Sequence, residues 1–146
     1  MANYKHYIGY DVSQTAVNIC KKKFYKYSTK KFFYLSDNFT NNEKADLSIS
    51  LDVIYHLIED DVYDVYMNNL FKSSNKYIII YSSNLDGKKI KTGRYVKHRI
   101  FTDWIKRYMS KNWRLKEYIP NKYPLISKYN GTQSFSNFYI YEKYNN

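Results

Sequence analysis

Short apolar runs alternate with amphipathic stretches along this chain, and that alternation leaves few folds open. The clearest run is YIIIY at 77–81, short, β-branched and of buried character, which reads as a strand. Residues 7–11, 32–35 and 47–53 read as three more, the last with serines at 48 and 50 and expected to be covered on both faces. Between them lie helical patterns. Ser13 offers a hydroxyl to cap a helix carrying Ala16, Val17, Cys20 and Phe24 on one side, with Lys21, Lys22 and Lys23 where a helix C-terminus favours positive charge. Glu59, Asp60 and Asp61 suit the start of a second helix, continued by Val62, Val65, Tyr66 and Leu70. Phe101, Trp104, Ile105, Tyr108 and Met109 form the stripe of a third. Residues 84–98, polar with two glycines, read as a mobile loop. Residues 113–119 and 135–141 alternate as two final strands.

Strands alternating with helices predict an α/β fold with a largely parallel sheet. Two closing strands with no helix between them predict an antiparallel pair at one edge. The 146 residues contain no repeat and no Pro/Gly-rich linker, so one domain, 1–146, is expected. With 44% hydrophobic and 20% aromatic residues, the chain can build a core. No apolar run approaches the roughly 20 residues that span a bilayer, and the start, MANYKHYIGYDVS, has no apolar signal stretch. The single cysteine, Cys20, is expected in the core and rules out an internal disulfide framework. A reducing, cytoplasmic setting is the expectation. Neither an HExxH pattern nor a cysteine pair occurs, so no metal site is expected.

The net charge of +11 taken alone points to a polyanion partner. The chain is also loaded throughout with Lys, Asn, Tyr and Ile, residues of AT-rich codons, and its basic residues look scattered. A nucleic-acid partner is therefore kept as a second reading and not favoured.

Asp52 and His56 stand where an apolar run ends. In open sheets, ligands bind where loops leave the strand ends. The same residues also fit an ordinary strand, turn and helix start. Histidine is a residue type suited to proton transfer, which singles out His56. Asp11 ends the first strand, and Asp37-Asn38, which follow the second, are also good turn residues. Tyr81, Ser82, Ser83 and Asn84 end the 77–81 strand, and His98 and Arg99 precede the third helix.

As an ordered set, these residues resemble the class I, Rossmann-like S-adenosylmethionine-dependent methyltransferases. YIGYDVS at 7–13 is similar to their second strand with its acidic end. ADLSISLDVIYH at 45–56 is similar to the fourth strand, YIIIYSSN at 77–84 to the fifth, and FSNFYIY at 135–141 to the last. The resemblance implies a mostly parallel sheet with helices on both faces, and methyl transfer from S-adenosyl-L-methionine to an unidentified acceptor. It implies that Asp11, with Val12 beside it, holds the ribose hydroxyls. Asp37 would accept from the adenine amino group, and the Asn38 backbone would read the ring edge. Leu51 would line the methionine moiety, and Asp52 would hold its ammonium or stand beside the substrate. His56 would take the acceptor's proton and Tyr81 would orient the acceptor. Tyr55 would form a wall for the acceptor, Asn84 would help Tyr81 orient it, and His98 and Arg99 would bind it if it is anionic, although Arg99 also fits an ordinary surface position.

One departure stands out. The family's first strand ends in a glycine-rich loop, yet only ten residues precede Asp11 and no two glycines lie near each other. The expectation is a fold incomplete at its N-terminal side, with unpaired edges on the two strands that flank the missing one. A non-catalytic module of the same fold is the alternative.

Overall fold

The computed structural model describes residues 4–35, 43–89, 93–124 and 134–144. Along the chain run β1 (Tyr7–Asp11), α1 (Gln14–Lys23), β2 (Lys30–Tyr34), β3 (Ala45–Leu51), α2 (Asp60–Lys72), β4 (Ser74–Ser82), α3 (Phe101–Tyr108), β5 (Trp113–Ile119) and β6 (Asn137–Lys143). Single helical turns occur at Ile54–His56 and Gly87–Lys89. The order is the one read from the sequence. The strands form two sheets rather than one, and the chain divides into two compact units, Met1–Asn41 and Asn42–Asn146.

In the first unit, β1 and β2 pair in parallel, from Tyr7 opposite Lys30 to Asp11 opposite Tyr34. Ser13 caps α1, its hydroxyl accepting from the Ala16 N–H at 3.2 Å, and Val17 is buried. Cys20 is only half-buried, because this small unit has little interior to offer.

In the second unit the strand order is β3-β4-β6-β5. β3 and β4 are parallel, and β4-β6 and β5-β6 are antiparallel, which supplies the expected closing pair. The core lies on one face. Ile78 and Ile80 of β4 and Tyr139 and Tyr141 of β6 meet Tyr63, Met67, Leu70 and Phe71 of α2 and Phe101 and Ile105 of α3. Alternation along a strand sends odd and even residues to opposite faces. So Ser50 faces inward to accept from the Tyr66 hydroxyl at 2.8 Å. Ile49 and Leu51 face the other way and are 41% and 51% exposed. The expectation that β3 is covered on both faces is corrected here: α2 packs on its serine face, and Ile49 and Leu51 on the other stand open. No helix among the described residues is long and apolar enough to cross a membrane.

Candidate functional site

β3 and β4 run in parallel, so they deliver their C-terminal ends to the same end of the second unit. The backbone N–H of Asp52 still bonds Tyr81 O at 2.8 Å. The chain then leaves β3 sharply: Asp52 has φ 54°, the one non-glycine positive φ among the described residues. Asp tolerates this region better than most residues because its short side chain bonds locally. The turn aims the carboxylate at the sheet end. Asp52 Oδ1 accepts from Ser136 Oγ at 2.9 Å, and the Tyr55 hydroxyl donates to the same carboxylate. Burial, then the Asp52 bond and charge, push the Tyr55 phenol up to about 12. It therefore stays protonated and keeps donating.

Around this cluster stands an aromatic wall. Tyr55 lies edge-on to Phe135 at 5.2 Å and against His56 at 4.5 Å. Phe135 also meets His98 edge-on at 4.7 Å. His98 is buried and shares a 2.6 Å hydrogen bond between Nδ1 and Ser83 Oγ, and burial lowers its pKa. It is a neutral, oriented imidazole. His56 is exposed, with Nδ1 3.1 Å from the carbonyl of Tyr95. A carbonyl can only accept, so Nδ1 carries the proton and Nε2 the lone pair in the neutral ring.

Tyr81 points to the opposite face of the sheet from Ile80. Its hydroxyl donates to Ser134 Oγ at 3.0 Å and accepts from Asn121 Nδ2 at 2.9 Å, and its ring packs on Phe138 at 4.4 Å. Asn84 is used on α3. Its Oδ1 accepts from Thr102 N at 3.2 Å, and Nδ2 donates to Thr102 Oγ1 at 2.9 Å. Arg99 is spent on the chain itself. Nη1 donates to Leu57 O at 2.7 Å, Nη2 to Ile58 O at 2.9 Å, and both Nε and Nη2 to Asp60 Oδ1. Its plane lies 4.4 Å from the Tyr63 ring centre. This guanidinium ties the segment before α3 to the start of α2, with its N–H groups engaged by the chain itself.

The loop expected to be mobile is pinned over residues 93–99. Lys97 N donates to Tyr55 O at 2.8 Å, and Lys97 Nζ to Asp60 Oδ1 at 2.8 Å. With Asp86, Gly87 and Ile100, this segment also borders a cleft of about 520 Å³ that includes His98. Asp52 and His56 are not in its lining. A Cβ at Gly87 would run into the carbonyl of His98, so glycine is what lets the two backbones meet.

Leu51, Asp52, Tyr55, His56, Tyr81, Asn84, His98 and Arg99 thus gather around one end of the second unit. Asp11 and Val12 lie in the first, at the C-terminal end of β1. Asp11 Oδ1 accepts from Ser13 N at 2.7 Å, and Val12 is 76% exposed. Asp37 and Asn38 lie outside the described residues. The sequence reading missed Ser134, Ser136 and Asn121, which close the site from the C-terminal segment. Their signal was the SFS triplet at 134–136, polar residues either side of an aromatic just before the last strand.

No protein-family model and no curated protein sequence matches the chain. Solved structures do. The N-methyltransferase NodS from Bradyrhizobium japonicum WM9, in complex with S-adenosyl-L-homocysteine, superposes with a TM-score of 0.69 at 12% identity, covering 95% of this chain and 67% of that one. The chain has the class I methyltransferase fold. The methyltransferase domain of bacterial CtHen1-C gives 0.67 at 13% identity, over 94% of this chain and 77% of that one. Magnesium protoporphyrin IX methyltransferase ChlM from Synechocystis PCC 6803, with bound S-adenosylmethionine, gives 0.62 at 14% identity, over 94% of this chain. This chain spans 59% of the length of ChlM, less than two thirds.

Proposed function

We propose that the protein binds S-adenosyl-L-methionine and directs its methyl group to a nucleophilic acceptor at the end of the β3-β4 pair. The observation that carries this is Asp52. A carboxylate held in the left-handed region at a strand exit, oriented by Ser136 and Tyr55, is strain kept where a ligand would use it. Its charge fits the ammonium of the cofactor's amino-acid end, and Leu51 beside it offers an apolar wall. Asp11 and Val12, as ribose ligands, and Asp37 and Asn38, as adenine ligands, enter on the resemblance alone.

The cofactor supplies an electrophilic methyl; the chain supplies position. Holding reactants in line provides much of the rate in such a displacement. Tyr55, Phe135 and His98 form an apolar, edge-on aromatic wall that would shape the acceptor's place and exclude water. His56 Nε2, its tautomer set by the Tyr95 carbonyl, takes the proton of a hydroxyl or amine acceptor. Tyr81 is held as an oriented phenol by Ser134 and Asn121 and positions the acceptor's polar atom. The reading includes a reducing, cytoplasmic setting, supported by a single half-buried cysteine.

The test is calorimetric titration of the whole chain with S-adenosylhomocysteine, beside Asp52→Asn and Asp11→Ala. Saturable binding lost in both variants is expected. A folded chain that binds nothing would overturn the reading. It would leave the second reading, a non-catalytic module of the same fold, which the division of the strands into two separate sheets favours.

A further inference from the structure

The first unit carries a feature that methyl transfer does not use. Between Val12 and Leu35 the sequence holds six lysines and no carboxylate. The fold gathers most of the aromatic rings of that stretch, together with Lys21, Lys30 and Lys31, around a groove of about 490 Å³ lined by Phe24, Tyr25, Tyr27, Phe32 and Phe33. Phe24 stacks on Phe32, with ring centres 5.6 Å apart and planes 18° apart, and this pair forms the floor. Lys30 Nζ sits 4.7 Å from the Phe24 ring centre and 4.3 Å from that of Tyr27. Tyr25 and Tyr27 stand 75% and 55% exposed at the rim. Lysines that look scattered in the sequence are therefore brought to one place, interleaved with rings.

We propose that this surface of α1 and β2 binds single-stranded nucleic acid, with Lys21, Lys30 and Lys31 on the phosphates and Tyr25 and Tyr27 stacked on bases. The chemistry is complementary on both counts. Cationic grooves track the backbone, and exposed rings accept any base on its face. A groove in which lysines alternate with exposed rings matches the alternation of phosphate and base along a single strand. The register locates the surface. Asp11 lies opposite Tyr34 at the C-terminal end of the parallel pair, whereas Lys30 lies opposite Tyr7 at the other end. Four residue steps of roughly 3.3 Å separate them. The nucleic-acid surface is thus distinct from the strand end assigned to the cofactor, and it stands or falls separately from methyl transfer.

Fluorescence anisotropy with labelled 20-mer oligo(dT) and oligo(U) tests this, with a 20-base-pair duplex, heparin and anionic vesicles as rival ligands. Both single strands should bind more tightly than the duplex, with log K falling linearly in log salt. Tyr25→Ala and Tyr27→Ala should each weaken binding by roughly 5- to 150-fold, the range for loss of one stacked base. Lys21→Gln with Lys30→Gln should flatten the salt slope by about 0.7 for each phosphate no longer neutralised. Lys106→Gln with Arg107→Gln, on α3 of the second unit, should change neither, and thermal melts of all variants check folding. The proposal is overturned by absence of binding at low salt, or by duplex, heparin or vesicles binding as tightly as the single strands. It is equally overturned if the tyrosine changes are inert in folded protein, or if the α3 pair weakens binding as much as the groove lysines.

Discussion

Arg99 shows how one side chain can look like a ligand and be a fastener. In sequence it is a cation beside a histidine, before a helix. In the fold its fork reaches two backbone carbonyls and one carboxylate, and its plane covers Tyr63. Lysine cannot reproduce that geometry. Arg99→Ala should lower the unfolding free energy by about 2 kcal/mol through the charged bonds to Leu57 O and Ile58 O. Arg99→Lys should recover little of it. Urea denaturation measures both. His98 makes a pH prediction. Burial lowers its pKa below the ordinary 6.5, so as pH falls through that value the unfolded chain takes up a proton that the folded chain refuses. Stability should therefore fall as pH drops from about 7 toward 5. His98→Gln should flatten that dependence, as followed by melting temperature against pH.

At the scale of elements, much was legible. The nine-element order, the Ser13 cap, the acidic start of α2 and the antiparallel close all follow from periodicity and capping chemistry, which are local. What was not legible is tertiary. β4 extends from 77–81 to Ser74–Ser82 because β6 pairs its C-terminal half and β3 pairs along its length. The 84–98 stretch reads as free because its polar residues carry no period. Tyr95 and Lys97 bond His56, Tyr55 and Asp60, about forty positions away, which no local pattern reports. The same holds for Ser134 and Ser136, whose partners Tyr81 and Asp52 are more than fifty residues distant. Gly87 belongs to this class too. Its freedom is used for a close approach to the His98 carbonyl. Gly87→Ala should push the Gly87–Lys89 turn off that backbone and cost about 1–3 kcal/mol, as overpacking does.

Across the whole molecule the consequence is division. The second unit has a continuous core of residues from two helices and three of its four strands, whereas the first has a two-stranded sheet and one helix. Two-stranded sheets are marginal on their own. A chain of residues 42–146 should fold cooperatively by itself, with near-UV circular dichroism from Trp104 and Trp113 intact. A chain of residues 1–41 should not. Loss of cooperative unfolding in the longer piece would contradict this.

The strand end holding Asp52 is proposed to receive the S-adenosyl group. Amide NMR of the isotope-labelled chain, titrated with S-adenosylhomocysteine, tests it most directly. Saturable shifts are expected at Leu51, Asp52, Tyr55 and the Ser134–Ser136 amides, and no change on the far edge at β5. A saturable response confined to other residues, or an unchanged spectrum of a folded chain, would contradict it.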